Sequence, residues 1–215
     1  MKKNSITLNT FRGDYELIKN RMRKYLKYLS SSNTILDLGC GRGEFLELLK
    51  ENKYEGLGID FDEEMIRICS NNGFNVLNTT IEDYLKNTND RFDGIMCSHI
   101  IEHFYPEKVI DILSNCEKIL NKNGILIIIT PNPLCLEVIS EKFWLDPTHI
   151  RPYPIDLLKQ FIKTNTNLSI IDWGEDSDTK HKIKNNLIHY IRMKILGSYF
   201  SQFFCALDIF IVCKK

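Results

Sequence analysis

Several things are missing from this 215-residue chain, and each absence removes a class of protein. No stretch approaches the roughly eighteen consecutive apolar residues of a membrane span, and the start Met1-Lys2-Lys3-Asn4-Ser5-Ile6 lacks the apolar core of a secretion leader. A soluble, cytoplasmic protein is expected. Net charge is also missing: Lys plus Arg number 28 and Asp plus Glu 28, so no overall field argues for nucleic acid. The seven cysteines, at 40, 69, 97, 116, 135, 205 and 213, are odd in number and form no Cys-x-x-Cys pair, which reads as reduced thiols without disulfides or a zinc site. Repeats, linkers and low-complexity tracts are absent, so a single domain over 1–215 is the default. The histidines and acids show no local ligand motif, and no metal is expected. Were one required, Asp93, Glu102, His103 or His149 would have to be brought together by the fold.

What is present is centred on Ile35-Leu36-Asp37-Leu38-Gly39-Cys40-Gly41-Arg42-Gly43-Glu44-Phe45. An apolar run ends in an acid and three alternate glycines, then passes into Phe45, Leu46, Leu48 and Leu49 at helical spacing, which predicts strand, tight turn and helix. Glycines let a backbone turn sharply and a ligand come close. A dinucleotide-binding turn would want its third glycine at the sixth position, where this chain has Glu44. A carboxylate there opposes a pyrophosphate, whereas a ligand carrying an amino group and a sulfonium tolerates it. The residues favour S-adenosylmethionine over NAD.

The motif Leu36 to Gly43 resembles the first motif of the seven-strand, Rossmann-like methyltransferases. The resemblance implies a cofactor site that includes Asp37, Gly39, Cys40, Gly41 and Gly43. About twenty residues on, the short strand Gly56 to Asp60 ends in an acid placed to take both ribose hydroxyls of a nucleoside ligand, with Phe61 as a wall for the adenine. Beyond a third strand at 74–79, Asp83 matches the position that accepts from the adenine amino group; the alternative is a helix cap. The strand Phe92 to Ser98 resembles the family's fourth-strand motif and brings Cys97 and Ser98 along the methionine part. Pro106 opens a helix, Asn121 to Gly124 closes it with a glycine stop, and Gly124 to Thr130 is a central parallel strand.

The expected fold is therefore α/β, a doubly wound, mostly parallel seven-stranded sheet. An amphipathic helix from Asp14 to Leu29 leads the 1–33 segment, the cofactor core covers 34–132, and 133–215 carries the acceptor loop and last strands with a basic helix near Lys182 to Leu196. The basic residues of the first thirty and of 180–194 read as solvated helix faces or as docking for an anionic substrate. Arg12 suits the cofactor carboxylate or a substrate phosphate.

The stretch Phe143 to Pro154 reads as a stiff, polar loop outside the core. With Phe11-Arg12-Gly13 and Ser98 to His103, its Asp146-Pro147-Thr148-His149 resembles bacterial sugar and glycan methyltransferases, including the methyltransferase part of O-antigen chain-terminating proteins. That resemblance implies an O-methyltransferase of a nucleotide-activated sugar or a surface-glycan unit in capsule or polysaccharide biosynthesis, its partners being that sugar and, for assembly, a second copy in a homodimer. A nonsugar small molecule, or a cofactor-binding subunit without activity, are the alternatives. A hydroxyl acceptor needs a base, and His149, then His103, are the candidates by type, with Asp146 to orient the imidazole.

Overall fold

The computed structural model describes residues 13–176 and 205–215. Seven strands form one sheet: β1 Thr34–Leu38, β2 Glu55–Asp60, β3 Val76–Asn78, β4 Phe92–Ser98, β5 Leu120–Pro131, β6 Ser169–Glu175 and β7 Asp208–Lys214. Their order across the sheet is β3-β2-β1-β4-β5-β7-β6. The first five are parallel, and β7 runs antiparallel between β5 and β6. The helices are α1 Tyr15–Met22, α2 Glu44–Glu51, α3 Glu63–Asn71, α4 Ile81–Asn87, α5 Pro106–Ile119, α6 Leu136–Ser140 and α7 Ile155–Asn165. The doubly wound, mostly parallel sheet expected from the alternation is borne out.

Side chains alternate between the faces of a strand, and both faces are apolar here because both are covered. Leu36, Leu38, Ile95, Leu126, Ile128 and Ile211 pack with residues of α4, α5 and α7. Ile35, Met96, Ile125, Ile127, Ile129 and Val212 pack with Tyr25, Leu29 and residues of α2 and α3.

Four local expectations are corrected. The N-terminal helix is α-helical only to Met22 and then tightens into a 3-10 turn over Arg23–Tyr28; three residues per turn eclipses Tyr25 and Tyr28, whose rings lie 6.5 Å apart. The third strand is only Val76–Asn78. The glycine stop after α5 does not form: β5 starts directly at Leu120, and Asn123, at φ 67°, takes the left-handed conformation. The stretch 143–154 is also partly core, since Phe143 and Tyr153 are fully buried. The Tyr153 hydroxyl donates to Phe104 O at 2.6 Å, so proline-rich composition concealed two aromatic anchors.

The N-terminal basic residues are used within the molecule. Lys19 meets Glu16, Glu47 and Glu51 at 3.4, 3.0 and 3.1 Å, Arg23 meets Glu51 at 3.3 Å, Arg21 pairs with Asp208, and Lys24 with Asp176. They clamp α1 and the turn after it onto α2 and the sheet, which corrects the reading of those positions as a docking face for anions. Arg12, Lys2, Lys3 and the basic stretch 180–194 lie outside the described residues.

Candidate active site

The parallel strands β1 to β5 deliver their carboxyl ends to one edge of the sheet, where such sheets bind ligands. At the end of β1, Gly39, Gly41 and Gly43 take φ of 68°, 54° and 88°, a region that disfavours any side chain. A Cβ on Gly43 would stand 2.8 Å from the Phe74 ring. The turn is therefore bare backbone above a packed floor, a shape that admits a ligand closely. Cys40 is buried, and its thiol is pushed up by its contact with Cys69 and by burial, which makes it a packing group. Glu44 is buried and its Oε1 accepts from Arg42 Nε at 2.8 Å. Its charge is thus offset by Arg42, and the shape of the turn, more than the free carboxylate expected at this position, is what characterises it.

Asp60, on the neighbouring strand end, is buried. Its Oδ2 accepts from Gly41 N and its Oδ1 from Asp62 N, both at 2.9 Å. It ties the glycine turn to the start of α3, and each oxygen keeps a second lone pair for a hydroxyl. Phe61 is 66% exposed beside it. Asp83 is exposed and accepts from the Thr80 hydroxyl at 2.8 Å while Thr80 Oγ1 caps Asp83 N at 3.1 Å. Asp37 is buried in β1, Cys97 is buried with its thiol pushed well up, chiefly by burial, and Ser98 is half-buried at the end of β4. Because β3, β2, β1 and β4 are consecutive neighbours, these residues line adjacent strand ends.

A second group gathers after β4 and β5. Glu102, in a 3-10 turn over Ile101–His103, is completely buried; its Oε2 accepts from the Thr130 hydroxyl at 3.1 Å. Its backbone carbonyl accepts from Ile150 N at 2.8 Å, which joins this turn to the loop carrying His149. The rings of His103 and His149 lie 4.7 Å apart. His149 Nδ1 bonds Phe143 O at 2.6 Å, and Thr148 Oγ1 bonds both His103 Nδ1 at 2.9 Å and Asp146 Oδ1 at 2.6 Å. Burial, assisted by neighbouring His149, lowers the His103 pKa despite the carboxylates nearby. Partial burial would raise the Asp146 pKa, but Thr148 outweighs it and the net shift is down. Asp146 therefore orients His103 through Thr148 and also stands 3.9 Å from His149 Nε2, the histidine to which the sequence pointed.

Three participants were not singled out from sequence. Thr148 is one. His99, held at φ 55°, sits 3.3 Å from Glu102 and 3.6 Å from Asp208. Its side chain is 47% exposed; the groups crowding it work against its charge, and the two carboxylates outweigh them, lifting its pKa to about 10. Asp208 is the third, with a carboxyl that burial would raise but that His99 and Arg21 hold at about 2. The available signal was Glu102-His103 directly after a strand end; the pairing with residue 208 left none.

Thr148 thus bonds Asp146 and His103, and His149 bonds the Phe143 carbonyl, while Leu134, Trp144 and Leu145 on the same connection are exposed. Comparison with known proteins points the same way. A ubiquinone biosynthesis O-methyltransferase of Actinobacillus pleuropneumoniae is 31% identical over 108 residues, covering 46% of this chain and 45% of that protein. The chain spans about half the length of the curated relatives it matches. Those relatives are named for ubiquinone, which overturns the sugar, capsule and polysaccharide reading: the loop that suggested a sugar site spends its polar groups internally. A SAM-dependent methyltransferase from Archaeoglobus fulgidus is 32% identical, with a TM-score of 0.76 over 96% of this chain and 97% of that one. Magnesium protoporphyrin IX methyltransferase from Synechocystis PCC 6803, solved with bound SAM, shares the fold at a TM-score of 0.62 and 12% identity, covering 94% and 79% of the two chains. Among the described residues no helix is long and apolar enough to cross a membrane. A family described as a methyltransferase domain matches residues 11–203, and with the glycine turn, the buried acid on the next strand and the seven-stranded order all in place, the chain belongs to that family as an S-adenosylmethionine-dependent methyltransferase.

Proposed function

We propose that this enzyme methylates a hydroxyl of a nonsugar small molecule, and that the acceptor is aromatic. The observation that carries the reading is the connection after β5: its Asp146, Thr148 and His149 side chains are engaged with one another, with His103 and with the Phe143 carbonyl, and Trp144, Leu134 and Leu145 present apolar surface on the same connection. A flat, apolar ring suits such a rim better than a hydroxyl-rich sugar does. The relatives named for ubiquinone biosynthesis support a nonsugar acceptor.

When bound, S-adenosylmethionine supplies a sulfonium methyl open to a nucleophile. In this reading Asp60 accepts from the ribose hydroxyls, Phe61 covers the adenine, Asp83 accepts from its amino group, and Asp37, Cys97 and Ser98 line the remainder of the site above Gly39, Gly41 and Gly43, with the Cys40 thiol packed behind the turn. His149 takes the hydroxyl's proton. Its Nδ1 is committed to the Phe143 carbonyl, which can only accept, so Nε2 carries the free lone pair. His103 is the second candidate.

The test is transfer of label from the cofactor to panels of phenols, aliphatic alcohols and nucleotide sugars. Labelled phenols are expected. Label confined to aliphatic alcohols overturns the aromatic acceptor, and label confined to nucleotide sugars overturns the whole reading.

A further inference from the structure

The cluster after β4 and β5 gathers more electron-pair donors than its hydrogen bonds use. One carboxylate oxygen of Glu102 and one ring nitrogen each of His103 and His149 all lie within 4.8 Å of one another. The tautomers follow from the partners. Phe143 O can only accept, so His149 Nδ1 bears the hydrogen and Nε2 the lone pair. The single Thr148 hydroxyl proton goes to Asp146 Oδ1, so Thr148 Oγ1 must accept from His103 Nδ1, and His103 Nε2 also bears a lone pair. Glu102 is 0% exposed, its Oε2 is satisfied by Thr130, and its Oε1 has no hydrogen-bond donor among the described residues. His99 Nδ1 is 3.3 Å from that oxygen as an ion-pair contact only. A buried carboxylate whose near cation among the described residues is His99, and two imidazoles each left with a lone pair, one of them 3.9 Å from Asp146 Oδ2, thus gather in one place. Such a set is stabilised by a cation.

We propose that Glu102, His103 and His149 bind one divalent transition-metal ion of the zinc type. Two imidazoles and a carboxylate make the donor set of zinc sites that keep a fourth position open, whereas magnesium prefers oxygen donors and retains its waters. Both rings are already oriented from behind, His149 by the Phe143 carbonyl and His103 by Thr148 and Asp146, as metal-ligating imidazoles are. The ligands lie on two separate connections, which is why no local spacing motif announced them. The role of the ion rests on the proposed function: the open position would take the acceptor's hydroxyl oxygen, His149 would then serve as a ligand, and the proton would leave to solvent water.

The test is titration of the metal-stripped full chain with Co2+ alone, read by its visible absorption. One equivalent is expected to bind in a four- or five-coordinate site and to be displaced by Zn2+. His103→Ala and His149→Ala should each weaken Co2+ binding by about 100-fold or more, and Thr148→Val, which removes only an outer partner, by about 10–100-fold. Glu102→Gln keeps the volume of the buried side chain where an alanine could unfold the turn, and it should weaken binding as the histidine variants do. No absorption change, or unaltered affinity in the His103→Ala/His149→Ala double variant, overturns the site. Label transfer that persists in metal-stripped enzyme overturns the ion's role and leaves the proposed reaction standing. Co2+ binding with no transfer to any hydroxyl does the reverse.

Discussion

The glycine turn after β1 and the histidine cluster after β5 sit on the same edge of one sheet, yet they are built in opposite ways. The turn is local: residues 39–43 supply it, backbone dihedrals shape it, and its key side chain, Asp60, bonds backbone amides. The cluster is non-local and made of side chains, drawn from positions 99–103, 130, 143–149 and 208. A backbone-shaped site tolerates change in its neighbours because few contacts define it. A side-chain site fails wherever one member is lost, because each imidazole is held by the next group along. Binding of the cofactor and activation of the acceptor should therefore be separable by mutation.

The largest separation is expected at His149. If it takes the acceptor's proton, His149→Ala lowers turnover by about 10²–10⁴-fold while cofactor affinity, read by calorimetry, stays unchanged. Turnover close to normal with loss of acceptor affinity alone would make His149 a binding residue. Phe143→Ala probes the floor of the same region: the ring is 1% exposed and stacks 4.5 Å from His149, so about 3–5 kcal/mol of unfolding free energy should be lost, together with the placement of His149. Denaturant melts read the first effect and turnover the second.

Asp60→Ala attacks the other region. It should weaken cofactor binding by about 1.5–3 kcal/mol, the range for a hydrogen bond to a charged group, and Asp60→Asn, which keeps one acceptor oxygen, by less. The smallest effect is expected at Asp208, whose carboxyl falls from its ordinary 3.8 to about 2 in the folded chain. A depressed carboxyl contributes stability that is present above its unfolded pKa and lost as pH falls through the folded one. Asp208→Asn should therefore cost about 2 kcal/mol at neutral pH, and the difference from the parent should shrink between pH 3.8 and about 2. Denaturant titrations across that range check it; a difference that is constant with pH would place the cost in packing.

The same contrast explains what could be read without coordinates. The sheet and the glycine turn were legible because their signals are short-range: apolar runs end in acids and glycines, and Pro106 opens α5 where a first-turn proline is tolerated. The acceptor region was legible only as residue types. His149, His103 and Asp146 were in view, but their partners Glu102, Thr148 and Phe143 act through tertiary contact, and nothing in the spacing of Asp146-Pro147-Thr148-His149 says that the threonine turns back to His103. The charge pattern misled for the same reason. Lys19 and Arg21 look like a solvated face until the acids at 47, 51 and 208 are folded against them. The 143–154 stretch misled by composition, because its prolines and polar residues outnumber the two aromatics that anchor it.

The antiparallel course of β7 sets a timetable for synthesis. Since β7 runs against β5, it is the beginning of this strand, Asp208 opposite Pro131, that reaches the active edge. Arg21 and His99, both translated long before, wait for that carboxylate, and the Arg21 contact spans 187 positions of sequence. A ribosome-bound chain can close the glycine turn against Asp60 once the first two strands have emerged, but the ion pairs beside Glu102 form only after residue 208 leaves the exit tunnel. The nascent protein should accordingly shape its glycine turn early and complete the contacts of Arg21 and His99 with Asp208 last, these being among the slowest to form because of the loop they must close.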